Sequence, residues 1–398
     1  MTEVFQSLVV ILVAAALAPL IVDLPNRLRL PAVVAEITLG SLIGPQVLGF
    51  AEPEGVVEFL STVGLAFLFF LGGLEVDFDR VRGLPAKLGG YGWLISLALG
   101  LTFAFLLEEI GFVLSAELIG VAICTTAIGT LMPILRDAGE LRRPLGPFIL
   151  AAGVAGEFGP LLVVSLLLTA GREPGVAFAL LIAFAVISLL TAVVATRART
   201  PRMVAAIHDA MASSGQAAVR LALVVLFGLV FLASEFGFDI ILGAFAAGLV
   251  VGLVTKGEKT EDVRLRLEAI GFGFVIPIFF VVTGMKFDLA ALFDSPTNLL
   301  RLPVFLALFL VVRGAPVFLL YRTAIPKVDR LPLTLYSATA LPLVVAITTI
   351  GLETGHMRPE NAAALVGAAM VSVLVFPLLA LTLRRRQQAA DEPFTPSA

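Results

Sequence analysis

The sequence predicts an all-α polytopic membrane protein of about thirteen transmembrane helices, built from two inverted five-helix repeats. Three observations predict it. Apolar stretches of spanning length recur along nearly the whole chain, the basic residues fall on one side when thirteen spans are counted, and the second to sixth spans share a pattern with the ninth to thirteenth.

The first observation rests on composition. Of the 398 residues 59% are hydrophobic and 14% charged, with a mean hydropathy of +1.04, too much apolar surface for a core in water. A hydrocarbon layer roughly 30 Å thick needs about 20 apolar residues per helix, and such runs leave no space for a sizeable soluble domain. Residues 1–398 therefore read as one integral membrane domain. The net charge of -3 gives no reason to expect a nucleic-acid partner. A single cysteine, Cys124, excludes an internal disulfide and any multi-cysteine metal site. The N-terminus carries Glu3 in place of a basic region, and the run Val4 to Val22 has no small-residue cleavage site, so it reads as a retained helix.

Pro, Gly and charge clusters divide the chain into spans starting near Val4, Pro31, Val56, Leu88, Leu118, Phe148, Val176, Ala217, Ile240, Ile270, Leu302, Leu331 and Ala362. An odd number places the two ends on opposite sides. Lys and Arg accumulate in short cytoplasmic loops, and an outside N-terminus puts 22 of the 27 basic residues inside, 4 outside and Arg313 within a span. Arg80, Arg82, Lys87, Arg142, Arg143, Arg197, Arg199, Arg202, Arg384, Arg385 and Arg386 lie inside, whereas Glu52, Glu54, Glu108, Glu109 and Glu173 make the outside loops acidic. This predicts a multi-pass protein of the cell inner (plasma) membrane with its C-terminus cytoplasmic. The polar connector Ala198 to Gln216 separates spans seven and eight; its His208, like His356, reads as a solvated loop residue.

The repeat shows in four matches that keep the same order. FFLGGLEVDFD at Phe69 to Asp79 parallels FFVVTGMKFD at Phe279 to Asp288, and GSLIG at Gly40 to Gly44 parallels GLVVG at Gly248 to Gly252. Thr126-Ala127 parallels Thr339-Ala340, and Pro160-Leu161-Leu162 parallels Pro377-Leu378-Leu379. Seven spans separate matching members, so the copies have inverted topology, a hallmark of secondary transporters. The expected division is a first repeat over 31–170, connecting helices over 171–238, a second repeat over 239–383 and a cytoplasmic tail over 384–398.

In such transporters the site lies near the midplane where interrupted helices of the two repeats meet. Spans five and twelve are the expected pair. Span five holds Thr125, Thr126, Gly129 and Pro133 within an apolar run, and span twelve holds Ser337, Thr339 and Pro342. Proline removes a backbone donor and frees a carbonyl, and the hydroxyls can patch the gap or ligate a cation; ordinary kinks satisfied by neighbouring helices are the alternative. Glu157, about nine residues into span six, falls roughly 14 Å deep at 1.5 Å per residue. A charge at the centre of a spanning helix costs on the order of 3 kcal/mol, so it tends to mark an ion path or proton relay. One carboxylate that holds either a proton or a monovalent metal cation is the minimum chemistry of exchange.

Arg313, at a similar depth in span eleven, needs a partner. Glu157 is one candidate, and the carbonyl ends of the broken helices, which carry partial negative charge, are the other. Its expected role is charge compensation. Glu36, about five residues into span two, reads as accessory. Glu75, Asp77 and Asp79 read as solvated charges ending a helix, and Cys124 as a packing residue.

These residues resemble the monovalent cation:proton antiporters, in the branch shared by bacterial sodium/proton antiporters and glutathione-gated potassium efflux systems. LPAVVAEITLGSLIGPQVLGF at Leu30 to Phe50, ILGAFAAGLVVG at Ile241 to Gly252 and IPIFFVVTGMKFD at Ile276 to Asp288 carry the likeness. It implies a sodium/proton antiporter-like fold with crossed discontinuous helices, and a homodimer in which a core of spans five, six, eleven, twelve and thirteen moves in an elevator-like cycle. Family members carry Asn-Asp or Asp-Asp in the helix corresponding to span six, where this chain has Gly156 and Glu157; Glu157 inherits the ion-binding role and the first polar side chain is missing. The family's Lys or Arg in the helix of span eleven maps onto Arg313. A single site carboxylate suggests electroneutral one-for-one exchange. The potassium efflux relatives usually append a nucleotide-binding domain, which the residues after Arg386 cannot form.

The resulting expectation is a secondary antiporter of Na+ or K+ against H+, with no cofactor and no enzymatic activity. Cation and proton compete for Glu157, Thr125, Thr126 and Thr339 help to ligate, and lipid surrounds the whole. A cation-coupled symporter of an organic solute on the same fold, or a non-transporting sensor or channel, are the alternatives.

Overall fold

The computed structural model describes residues 2–23, 31–76, 82–168, 174–197, 216–254, 260–287 and 295–391. The expectations for Asp77, Asp79, Arg80, Glu173, Arg199, Arg202, His208 and Asp288 lie outside the described residues, as do the side chains of Pro133, Arg197, Arg385 and Arg386. Among the described residues nine helical stretches are long and apolar enough to cross a membrane, and four shorter apolar ones supply the remaining expected spans.

In chain order the helices are α1 (Thr2–Asp23), α2 (Ala32–Ile43), α3 (Val56–Leu74), α4 (Leu84–Glu109), α5 (Ala116–Ile123), α6 (Ile128–Asp137), α7 (Gly146–Leu168) and α8 (Pro174–Arg197). They continue as α9 (Gln216–Glu235), α10 (Ile240–Val254), α11 (Thr260–Ile270), α12 (Ile276–Lys286), α13 (Pro296–Leu320), α14 (Lys327–Ser337), α15 (Pro342–Glu353) and α16 (Pro359–Asp391). Two compact units result. One holds α1, α2 from Ala35, α3, the end of α7 and α8 to α12; the other holds α4, α5, α6, α7 as far as Pro160, and α13 to α16.

The first unit is held by backbone-to-backbone crossings that only glycine permits. A Cβ on Gly40 of α2 would lie 2.0 Å from Val281 O, and one on Gly284 of α12 would lie 2.0 Å from Ile37 O. The crossing of α3 with α10 is built alike: a Cβ on Gly248 would lie 2.0 Å from Phe70 O, and one on Gly73 would lie 2.3 Å from Phe245 O. Under the pairing of α2 with α10 and α3 with α12, Gly40 matches Gly248, Gly73 matches Gly284, and Ile37 matches Phe245. The two contacts are thus the same contact made twice, as an internal repeat requires. Close helix approach through small residues is how membrane helices gain packing without a hydrophobic drive. Gly248→Ala is expected to lower the melting temperature in detergent, since overpacking costs about 1–3 kcal/mol or more. Gly228→Ala on α9, where a Cβ meets open space, leaves it unchanged.

Span ten begins earlier than its expected start near Ile270. The charged stretch Thr260–Ile270 is helical and runs through a wider π-helical turn, Gly271–Val275, into α12. Its charges are paired: Arg264 contacts Glu268 at 2.6 Å and Glu75 at 2.9 Å. Glu75 ends α3 as the sequence suggested, but it is ion-paired there and only partly exposed.

The second unit carries both helix breaks. Ser115 caps α5, accepting from Leu118 N; α5 stops at Ile123, and non-helical backbone at Thr125 to Ala127 precedes α6. α14 stops at Ser337, and α15 restarts with Pro342 at its first position, where the missing N–H costs nothing. Pro133 lies inside α6 and not at the break. The apolar faces of α6 (Ile128, Leu131, Leu135) pack with Leu333, Tyr336 and Phe376. Below them, Glu140, which is 2% exposed, pairs with Arg384, and Arg384 also bonds Asp329. α16 runs to Asp391, past the expected start of the tail at 384. The unit gathers the five spans expected to form a core and adds span four.

α13 also starts earlier than expected, at Pro296, because Ser295 caps it by accepting from Asn298 N. Arg301, counted as a loop residue in the sequence, is thereby drawn into the helix. It is 6% exposed, donates to Phe112 O and Asn361 Oδ1, and lies 4.4 Å over the Phe112 ring.

Candidate functional site

The two breaks touch each other and α7. Thr126 N donates to Gly156 O of α7 at 2.8 Å, and Ala127 N donates to Thr339 O at 2.8 Å. The Thr126 hydroxyl donates to Ser337 O at 2.5 Å, the carbonyl ending α14. On the other side, Ala340 N donates to the hydroxyl of Ser372 on α16 at 3.0 Å. Non-helical backbone in an apolar unit must place its N–H and C=O groups somewhere, and each break here uses the other and the adjoining helix. These contacts are the crossed discontinuous helices.

Glu157 sits where that crossing meets α7. Gly146 and Leu168 each lie 11 residues from it, about 16 Å either way, so it occupies the middle of the helix. It is 7% exposed. A Cβ on Gly153, one turn earlier, would press on Ile128, the first residue of α6; the i, i+4 spacing puts Glu157 on that same face.

Arg313 is 3% exposed and lies at the same crossing. Its Nε donates to Thr126 Oγ1 at 3.0 Å and Ser337 O at 3.3 Å, Nη1 to Ser96 Oγ at 3.1 Å, and Nη2 to Ala152 O at 3.0 Å. Of the two candidate partners, the structure selects the carbonyls: among the described residues no ion pair joins Arg313 to Glu157. The guanidinium sits on the C-terminal end of α14, where partial negative charge gathers.

This placement explains the missing polar side chain before Glu157. A Cβ on Gly156 would lie 2.5 Å from Thr126 Oγ1 and 2.6 Å from Arg313 Nη2. Thr126 and the guanidinium occupy the space that an Asn or Asp would need.

Of the other expected ligands, Thr125 and Thr339 are buried at 1% and 0% exposure, and their hydroxyls bond back to Ala122 O and Leu335 O. Each keeps oxygen lone pairs, and the Thr339 carbonyl accepts from the other break. Glu36, 7% exposed, belongs to the first compact unit and is not part of this cluster. Cys124 is fully buried and donates to Val121 O. Ser96 and Ser372 escaped the sequence reading; a lone serine among the glycines of α4, or between valines in α16, gives no signal apart from its neighbours in space.

Thr126 is the hinge of the cluster, since one hydroxyl both donates to Ser337 O and accepts from Arg313. Thr126→Val removes both bonds at constant shape. Hydrogen bonds to charged groups contribute about 1.5–3 kcal/mol, so Thr126→Val is expected to lower the melting midpoint in detergent by several degrees, with Thr126→Ser near wild type. Thermal unfolding of the purified variants checks it.

Comparisons with known proteins bear on the family and the fold. YjbQ of Bacillus subtilis, a candidate Na(+)/H(+) antiporter, is 29% identical over 98% of this chain and 64% of its own length; the chain thus spans just under two thirds of that relative. The Na(+)/H(+)-K(+) antiporter GerN of Bacillus cereus is 28% identical over 71% of this chain and 72% of its own. The solved structure of the sodium proton antiporter MjNhaP1 from Methanocaldococcus jannaschii superposes with a TM-score of 0.65 over 98% of both chains at 18% identity, a likeness of fold. The model of the family described as sodium/hydrogen exchanger, transmembrane, matches residues 12–381, and the chain belongs to that family.

Proposed function

We propose that the chain is a secondary antiporter that exchanges a monovalent cation, Na+ or K+, for H+ by alternating access, with both ions competing for Glu157. The observation that carries this reading is a carboxylate at mid-helix, buried, beside two helix breaks whose backbone is held open by mutual hydrogen bonds. Carboxylate and carbonyl oxygens are hard ligands suited to alkali cations. Thr125, Thr126 and Thr339 supply further oxygens, and Glu36 remains accessory.

Arg313 supplies a fixed positive charge that is present whether Glu157 holds a proton or a metal ion. Since the guanidinium does not deprotonate, only one group at the crossing titrates, which favours one cation per proton. Names of relatives, Na(+)/H(+)-K(+) among them, support the same pair of substrates. The protein is expected in the plasma membrane, N-terminus outside and C-terminus cytoplasmic, following the distribution of Lys and Arg, and as a homodimer, following the family resemblance.

The test is purified protein in vesicles with a trapped pH-sensitive dye. Addition of Na+ or K+ alone is expected to dissipate an imposed pH gradient with saturation. A conductance without saturation, or movement that requires an organic co-substrate, contradicts the reading.

A further inference from the structure

Behind Arg313, on the side of α4, lies a cavity of about 10 Å³ lined by Gly89, Gly92, Trp93, Arg313, Tyr321 and Ser337 among others. That is the room of about one water molecule. Three residues lining it carry unused donors. The Trp93 indole Nε1 is buried with no hydrogen-bond partner, and so is the Ser337 hydroxyl, on a residue 2% exposed. The guanidinium has five N–H groups; the four contacts made by Arg313 share one at Nε and take one at each Nη, leaving two. The Cys124 thiol, which donates to Val121 O, turns its sulfur toward the indole N–H, but sulfur is only a weak acceptor and leaves the Ser337 and Arg313 donors unserved.

Buried donors without acceptors cost roughly 1–3 kcal/mol each, and no carboxylate lines the cavity among the described residues. Glycine makes the space: a Cβ on Gly159 of α7 would lie 2.4 Å from Trp93 Cε2, so the indole lies flat against α7 beside the opening. The geometry points to a binding site for one small hydrogen-bond acceptor, a water or a halide ion, that completes the coordination of Arg313 through Trp93 and Ser337. Its occupant fixes the guanidinium from the rear while Thr126 and the α14 carbonyl fix it from the front. Trp93 is then a positioning residue for Arg313, distinct from the cation-binding oxygens, and the inference stands whichever ions the protein exchanges.

Trp93 is the only tryptophan of the chain, so intrinsic fluorescence reports this site directly. The purified full chain, in chloride-free gluconate buffer, is titrated with iodide and bromide, alongside Ser337→Val, whose methyl groups fill the cavity. A halide occupant gives quenching that saturates in the wild type and becomes linear in Ser337→Val. A water occupant gives linear quenching in both, but a wild-type emission that responds to D2O and shifts to shorter wavelength in Ser337→Val. Identical emission maximum, D2O response and quenching in the two proteins overturns the site. If Ser337→Val does not fold, Ser337→Ala, which removes one donor and leaves space, must change the same readouts, and its failure to do so overturns the site equally.

Discussion

Glu157→Gln is expected to reduce cation-driven proton movement in vesicles to the level of protein-free liposomes, as the proposed exchange at this carboxylate requires. The side chain lies at the centre of α7 and at the crossing of the two breaks, and its burial at 7% exposure means that no bulk water stands in for it. Gln matches Glu in volume, and volume-conserving changes usually cost under about 1.5 kcal/mol, so the variant is expected to fold and keep its melting behaviour. What it loses is the ability to exchange a proton for a cation. Glu157→Asp keeps the acid but shortens its reach by one methylene; it should retain exchange with weaker apparent cation affinity. Loss of folding in Glu157→Gln, or a wild-type rate, contradicts the assignment.

Arg313→Ala has the next largest effect, and on stability as well as transport. The substitution removes the guanidinium donor from Thr126, Ser96 and the carbonyls of Ala152 and Ser337, the last of which keeps the Thr126 hydroxyl. Depriving buried neutral acceptors of a charged donor costs about 1–3 kcal/mol each, enough to lower the melting midpoint in detergent clearly and to abolish exchange. Arg313→Lys retains the charge but not the planar fork; it can serve two of these acceptors at a time, so it should fold and exchange slowly. Equal midpoints for Arg313→Ala and wild type would show that the guanidinium does not hold the crossing together.

Much of this was legible in the chain. Span number followed from apolar length and the placement of Lys and Arg, and the repeat from Gly40, Gly73, Gly248 and Gly284, whose contacts turn out to demand glycine. Glu157 stood out because an acid in hydrocarbon is costly wherever it points. Ends of helices were less readable: Thr260–Ile270 is too charged to look like part of a span, and its pairing of Arg264 with Glu75 joins positions 189 apart in sequence. The partner of Arg313 was open for the same reason. Whether a guanidinium faces an acid or a set of carbonyls depends on side-chain direction across four helices, which periodicity does not carry. Gly156 shows the limit most plainly: as a letter it is only a missing ligand, and in space it is the room that Thr126 and Arg313 fill.

The account depends on one carboxylate holding either ion, and proton release on cation binding measures that directly. Calorimetric titration of the purified protein with Na+ or K+, in two buffers of different ionisation enthalpy and at the lowest pH that still supports binding, counts protons released per cation. One proton per cation in the wild type, with neither heat of binding nor release in Glu157→Gln, is the predicted result. Cation binding that releases no proton, or binding undiminished in Glu157→Gln, would place the exchange somewhere other than at this crossing.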